Sequence, residues 1–333
     1  MLSLRELLHR AIHTTYHQSE IFRGRKKPSA IRRWNVRQLD RSFRRRPLGR
    51  IEPSPELRDP TPAAVHSFVR RRIPVVLRGA ASEWSATKTW SLQFFKERYG
   101  DEGIMIPREE IERGREGSLY SIEFEPFTVG KFVDAVESGG SAYLKFLPFL
   151  KEHPELLEDL DWAACARWSG AKPGRHAVSN EFYMGGAKSV THLHTERSDI
   201  FHACVEGRKR WVLFPASNAV FLYPVPARTL FVGSEVDFTA PSPEAHPWYR
   251  YANGYEVVLE KGDVLYVPSF CWHAVENLTT VISANYLWTD HWRGFTSMPL
   301  TWINGEVLAR RGAGTLRQFV EQFHGRFVPN IHS

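Results

Sequence analysis

The sequence predicts a mainly β protein: one barrel or sandwich core wrapped by helices, with an α/β lead-in. Three observations lead there. Short β-rich runs separated by turns (189–195, 199–206, 210–214, 229–232, 255–259, 263–267 and 280–288) crowd the chain from residue 188 onward, and many strands at short spacing suggest a sandwich or barrel. Even the longest apolar runs are strand-sized, as are VVL at 75–77 and WVLF at 211–214, far short of the roughly 18–20 residues a membrane helix needs. Helical periodicity is found in the segments before and after this β-rich half.

In chain order, Leu4, Leu7, Leu8, Ala11, Ile12 and Thr15 fall on one face of a first amphipathic helix. Arg5, Glu6, His9 and Arg10 stand where a signal peptide would have its apolar core. Secretion and membrane spanning are therefore not expected. Cys165, Cys204 and Cys271 include no CxxC pair, which suits a reducing, cytoplasmic setting and small buried hydrophobes. The net charge of +7 is uneven: residues 23–50 hold twelve Lys/Arg and one acid, Asp40, while residues 51–333 carry about −4. The basic stretch reads as a solvated arm that packs Ile31, Trp34 and Leu39 onto the body. It also suits contact with nucleic acid or another acidic partner, and an Arg-rich targeting peptide is the remaining alternative.

Pro53, Pro55, Pro60 and Pro62 mark a boundary near 51–62, with Pro62 in the first turn of a helix reaching Arg71. IPVVLRG (73–79) reads as a buried strand and TWSLQFFKERYGD (89–101) as a helix closed by Gly100. Strands are expected at 103–107, 118–124 and 142–146, a helix at 128–138, and a short acidic helix at 153–162 before an irregular Gly/Pro stretch. After Asp290 the chain turns helical, with an apolar stripe at Leu316, Phe319, Val320 and Phe323 suited to the barrel wall or to a homodimer. Three segments follow: 1–50, helix and basic arm; 51–290, with a metal-binding barrel at about 188–290; and 291–333, helical.

The β-rich half holds the chemistry. In THLHTE (191–196), His194 and Glu196 are two apart and so share one side of an extended strand. A third ligand must come from a distant strand, and His273 in GDVLYVPSFCWHAVEN (262–277) is well placed. Two imidazoles and a carboxylate on one face of an octahedron form the facial triad of non-heme Fe(II) oxygenases. GRKRW (207–211) offers a Lys or Arg to hold the far carboxylate of a 2-oxo acid; one of its three basic residues must face inward if the strand is regular.

THLHTERSDIFHACVEGRKRWVLFP and GDVLYVPSFCWHAVEN closely resemble the two metal-binding segments of the Jumonji C, cupin-like 2-oxoglutarate oxygenases. RIPVVLRGAASEW, KTWSLQFFKERYGD, AYLKFLPFLKEHPELLEDL and LYP…SEVDF…EVVLEKGD extend the resemblance over roughly residues 60–290. It implies a double-stranded β-helix that binds Fe(II), 2-oxoglutarate and O2. It further implies His194, Glu196 and His273 as iron ligands and Lys209 as the grip on the 2-oxoglutarate C5 carboxylate. Thr191 matches a threonine on the same carboxylate, Tyr143 a tyrosine of the cosubstrate pocket, and Asn285 an asparagine beside the metal. The lysine spacing is that of the hydroxylase branch, which favours a protein or peptide side chain as substrate; a small molecule, or RNA held by the basic arm, is the alternative.

Two positions depart from the pattern. Ile200, preceded by Asp199, stands where many relatives have Asn near the cosubstrate, and Glu196 replaces the commoner Asp. A rival ligand set, His192, His194 and His273, follows from the general cupin motif, except that Phe270 replaces a Gly; it would make a metalloenzyme needing no 2-oxo acid. A non-catalytic binding module is the remaining alternative. His202 is expected as a wall residue and Asp290 and His291 at the barrel mouth. Cys271 is expected to pack, with some sensitivity to oxidation.

Overall fold

The computed structural model describes residues 30–107, 124–147, 149–171, 176–225 and 232–298, together with Leu8 and Ile12. The amphipathic stripe at 4–15 lies outside them apart from Leu8 and Ile12, as do 118–123 and the helical stripe at 316–323. Strands in chain order are β1 (Ile51–Pro53), β2 (Glu56–Arg58), β3 (Val75–Arg78), β4 (Gly103–Pro107), β5 (Phe124–Thr128), β6 (Tyr143–Leu147), β7 (Ala177–Gly185) and β8 (Val190–Thr195). They continue as β9 (Asp199–Glu206), β10 (Lys209–Phe214), β11 (Pro224–Val225), β12 (Val232–Ser234), β13 (Gly254–Leu259), β14 (Val264–Val267), β15 (Trp272–Asn277) and β16 (Val281–Thr289). Helices are α1 (Ala30–Phe43), α2 (Pro62–Arg71), α3 (Ser85–Thr89), α4 (Leu92–Tyr99), α5 (Val129–Glu137), α6 (Phe149–Glu152), α7 (Trp162–Ser169) and α8 (His291–Ser297).

Two seven-stranded sheets form the body, in the orders β1-β13-β10-β15-β8-β12-β11 and β2-β3-β14-β9-β16-β7-β6. The antiparallel pairs β7·β16, β8·β15, β9·β14 and β10·β13 are nested one inside the next. Alternate pairs fall in opposite sheets, which is the double-stranded β-helix, or jelly roll. Edge strands β1 and β2 pair in parallel with β13 and β3, so the proline-rich stretch ties into both sheets.

Local chemistry explains the lead-in. Thr61 caps α2 by accepting from the Ala64 amide at 3.3 Å, Pro62 opens it, and Arg72 closes it in the left-handed region with φ 56°. Val65 and Val69, one turn apart, are its buried face. Gly100 does follow α4 but stays right-handed, at φ −56°. Its lack of a side chain serves a close approach instead: its carbonyl accepts from the Gly130 amide at 2.9 Å, and an added Cβ would lie 2.3 Å from the Lys96 carbonyl oxygen.

Two elements differ from the sequence reading. The stretch after the acidic turn forms α7, capped by Asp161 and closed by Gly170 at φ 64°. Strand β7 adds nine residues to the barrel ahead of residue 188. In α1 the buried residues are Asn35, Leu39 and Phe43, four apart on one face, while Ile31 and Trp34 remain 48% and 47% exposed. Helical phase explains this: with Leu39 facing inward, Trp34 points to the opposite side.

Apolar side chains form three layers. Helices α2 to α7 cover the outer face of the second sheet, with Phe95 and Phe149 against Phe182 of β7. Leu39 and Phe43 of α1 pack with Leu193, Phe214, Trp272 and Ala274 on the back of the first sheet. Ile200, Trp211, Leu213, Leu265, Val275 and Leu287 fill the space between the sheets. Among the described residues no helix is long and apolar enough to cross a membrane.

Candidate metal centre

Strands β8 and β15 are neighbours, and their register sets His194 opposite His273. Side chains of opposed residues emerge on one face, so the two rings meet with centroids 4.2 Å apart. The register slips between His273 and Val275, the kind of irregularity that re-aims side chains beside active sites. Glu196 lies just past β8, and its Oε1 is 4.0 Å from His273 Nε2. One potential ligand atom from each of His194, Glu196 and His273 falls within 4.8 Å of the others. The Glu196 turn is held from behind: the Phe270 amide donates to the Glu196 carbonyl at 2.7 Å. Phe270, at the general cupin glycine position, takes the left-handed conformation that glycine would provide, with φ 57°, while fully buried.

The tautomers follow from the partners. His194 Nδ1 is 2.7 Å from the His192 carbonyl and His273 Nδ1 is 3.0 Å from the Cys271 carbonyl. A carbonyl only accepts, so each Nδ1 carries the proton and each Nε2 keeps a lone pair. Burial lowers the His194 pKa to about 4, which keeps the ring neutral. Burial first, and Glu181 second, push Glu196 up to about 8. Two imidazoles whose Nδ1 atoms are taken up by carbonyls, together with a carboxyl group that ionises on binding a cation, are a donor set that suits Fe(II). His192 stands outside this group, near enough to Asp237 to help lower its pKa.

A second polar cluster lies beside the first. Lys209 opens β10 and is fully buried, while its neighbours turn outward, Arg208 to Glu260 and Arg210 to Glu256 and Glu276. Its Nζ donates to Ser283 Oγ at 2.8 Å and Tyr143 Oη at 3.2 Å, and lies 3.5 Å from His202 Nε2. No carboxylate among the described residues is within 4 Å of it. Burial lowers its pKa to about 7.

Asn285 links the clusters. Its Oδ1 accepts from His202 Nδ1 at 2.7 Å, and its Nδ2 donates to Tyr183 Oη and to Glu181 Oε2, each at 3.1 Å. Thr191 is buried opposite Val275 and so shares the face that looks between the sheets. Ile200 packs apolar in that same layer. Asp199 turns the other way, to Tyr266 at 2.6 Å and Arg293 at 3.4 Å. Asp290 caps α8 through the Arg293 amide, and His291 is the buried first residue of that helix. Cys271 is buried with its thiol on the Phe214 carbonyl, and burial holds its pKa far above the usual value. A thiol kept protonated and covered resists oxidation, contrary to the sensitivity expected from its position.

Sequence reasoning missed Glu181, Tyr183, Ser283 and Trp211. Tyr183 and Ser283 are register partners, and Trp211 stacks on the His273 ring at 5.5 Å. The signal available was period-two spacing: Ser283 is two residues before Asn285, and Glu181 two before Tyr183.

Comparison with known proteins agrees with this geometry. The chain is 25% identical over 219 residues to Lysine-specific demethylase 8 of Xenopus tropicalis, covering 65% of this chain and 48% of the relative. It is 30% identical over 152 residues to human HSPB1-associated protein 1, covering 44% and 30%. It is 24% identical over 264 residues to the human Bifunctional peptidase and (3S)-lysyl hydroxylase JMJD7, covering 70% and 83%. The chain thus spans half or less of the length of the first two. The model of the cupin-like domain family matches residues 61–293, the stretch that holds β3 to β16 and every residue of both polar clusters. With nested strands, the His-Glu-His group and this match in agreement, the chain belongs to the cupin-like domain family, of Jumonji C type.

Proposed function

We propose that this chain is an Fe(II)- and 2-oxoglutarate-dependent oxygenase that hydroxylates a C–H bond on a protein or peptide side chain. In this reading residues 51–290 are the oxygenase unit, flanked by 1–50 and 291–333. The observation that carries it is Lys209: a buried ammonium with hydroxyl partners and no carboxylate within 4 Å among the described residues, beside a His-Glu-His group. An isolated buried charge is costly, and a dicarboxylate cosubstrate supplies the missing anion. A lysyl hydroxylase and a demethylase among the relatives support a protein substrate.

His194, Glu196 and His273 would hold the iron from one face, leaving the other positions to ligands. With 2-oxoglutarate and O2 the iron supplies the oxidising power. The remaining tasks fall to the chain. Lys209, Tyr143 and Ser283 grip the distal carboxylate, with Thr191 on the same face. Asn285 and His202 keep the wall of that pocket in register, and Trp211 braces the His273 ring. The apolar layer around Ile200 and Leu287 limits water. The rival set with His192 fits less well, because the ligand atoms that converge are those of His194, Glu196 and His273.

The test is anaerobic Fe(II) titration with and without 2-oxoglutarate, on the wild type and on Lys209→Ala. A weak visible charge-transfer band that needs both components and fades in the variant is expected. Iron binding with no response to 2-oxoglutarate would point to a cupin enzyme of another kind. No iron binding would point to a binding module.

A further inference from the structure

We infer that the outward face of α1, with the arginines that follow it, is a docking surface for single-stranded RNA. Residues 30–50 contain eight Arg, no Lys and one acid, Asp40. Leu39 and Phe43 hold the helix against the body, which turns its opposite face outward. On that face Arg33, Arg37 and Arg41 follow one another at intervals of four, and all are exposed. Each interval is about 6 Å along the axis, comparable to the step between successive phosphates. Arg44, which also pairs with Asp40 at 2.8 Å, and Arg45 extend the row past the helix end.

Three features select among polyanions. Arginine presents a planar fork that matches phosphate and stacks on bases. Trp34 stands on the same side as the row with 47% of its surface exposed, a platform for an unpaired base. Paired DNA keeps its bases stacked inside the duplex and gains nothing from such a platform. A membrane would need an apolar helix face, and the apolar face of α1 is spent on the protein. An acidic peptide offers neither phosphate geometry nor bases.

The surface lies behind the metal strands, since Leu193 and Trp272, which pack with α1, adjoin His194 and His273 in the chain. It would anchor a ribonucleoprotein rather than present a nucleotide to the metal. The inference therefore does not rest on the proposed oxygenase activity.

The experiment is fluorescence anisotropy of the full chain with a labelled mixed-sequence RNA of about 20 nucleotides, over roughly 50–200 mM salt. The expected result is binding that weakens steeply with salt. Replacing Arg33, Arg37, Arg41 and Arg44 with Gln should lower affinity at least about tenfold and reduce the log–log salt slope by about 3, near 0.7 per phosphate lost. Trp34→Ala, tested separately, should cost about tenfold at nearly unchanged slope. All five side chains are exposed, and thermal melts verify that both variants fold. Absence of binding, or binding indifferent to the four-arginine change, overturns the proposal. So do equal affinity for duplex DNA or for polyglutamate, and stronger partition onto phosphatidylserine vesicles than onto RNA.

Discussion

Two neighbouring clusters inside one barrel handle charge in opposite ways. The His194–Glu196–His273 group sets a carboxylate among neutral imidazoles, with Glu181 close enough to raise its pKa further. The Lys209 group sets an ammonium among neutral hydroxyls and an imidazole. Burial works against the charged form in both, pushing Glu196 up to about 8 and Lys209 down to about 7, yet the two form no ion pair that would restore those charges. Two charges buried side by side gain most by neutralising one another. Keeping them apart is sensible only if each awaits a different partner, a divalent cation in one case and an organic anion in the other.

The largest effect should come from the first cluster. His194→Ala or His273→Ala should weaken Fe(II) binding by more than about 100-fold, since loss of even an outer-shell partner costs about 10–100-fold. Full 2-oxoglutarate turnover in either variant would break the distinction between the clusters. Next comes Lys209→Met, which leaves the metal donors in place. Iron affinity should stay within a few-fold and 2-oxoglutarate binding should fall about 100-fold. The metal-free protein should melt about 2–4 °C higher, because an uncompensated buried cation is replaced by an apolar chain of similar volume. A lower melting point would show that Lys209 is a structural member of the core.

Much of this was legible in the sequence, for reasons that also explain what was not. His194 with Glu196 obeys strand periodicity within one short run, so their common direction can be read locally; in GRKRW periodicity says only that one of the three basic residues faces inward, and the resemblance singled out Lys209. Their meeting with His273 could be inferred only by resemblance, because it depends on which strands pair. Glu181 and Tyr183 escaped because β7 begins with exposed Ala177, Val178 and Ser179 and lacks the alternation that marks a half-buried strand; Ser283 escaped although its strand was read, because a lone serine in an apolar run carries no signal of its own. Helix α7 escaped because its sequence, WAACARWS, is too short for periodicity to register. Trp34 misled because an aromatic in a basic arm invites burial, whereas Leu39 and Phe43 set the phase of the helix.

A third effect separates the clusters by pH. In the free protein Lys209 is charged below about pH 7 and neutral above it. A carboxylate prefers the charged form, so 2-oxoglutarate affinity should decline as pH rises through 7, by up to about tenfold per unit. Binding at pH 8 should take up a proton, visible calorimetrically as a heat that depends on the buffer's ionisation enthalpy. A flat affinity between about pH 6.5 and 8.5 would place the anion away from Lys209. The smallest effect belongs to the link between the clusters. Asn285→Ala removes the acceptor for His202 and a donor to Glu181, and should raise the 2-oxoglutarate KM about tenfold with little change in melting point. Glutamine at this position should not restore it, being one methylene too long.

Nesting of the strands has a consequence for how the molecule is made. His194 and His273 are register partners although nearly 80 positions separate them, and β7 pairs with β16 across about 100. Contacts so distant in sequence must close large loops before they are rewarded, which slows folding. No local fragment can assemble the His-Glu-His group early, because its members meet only when β8 pairs with β15 around the strands β9 to β14 that lie between them in the chain. Metal capture therefore reports completed folding, and an ion present during refolding should speed recovery of native protein only in the last, slowest phase.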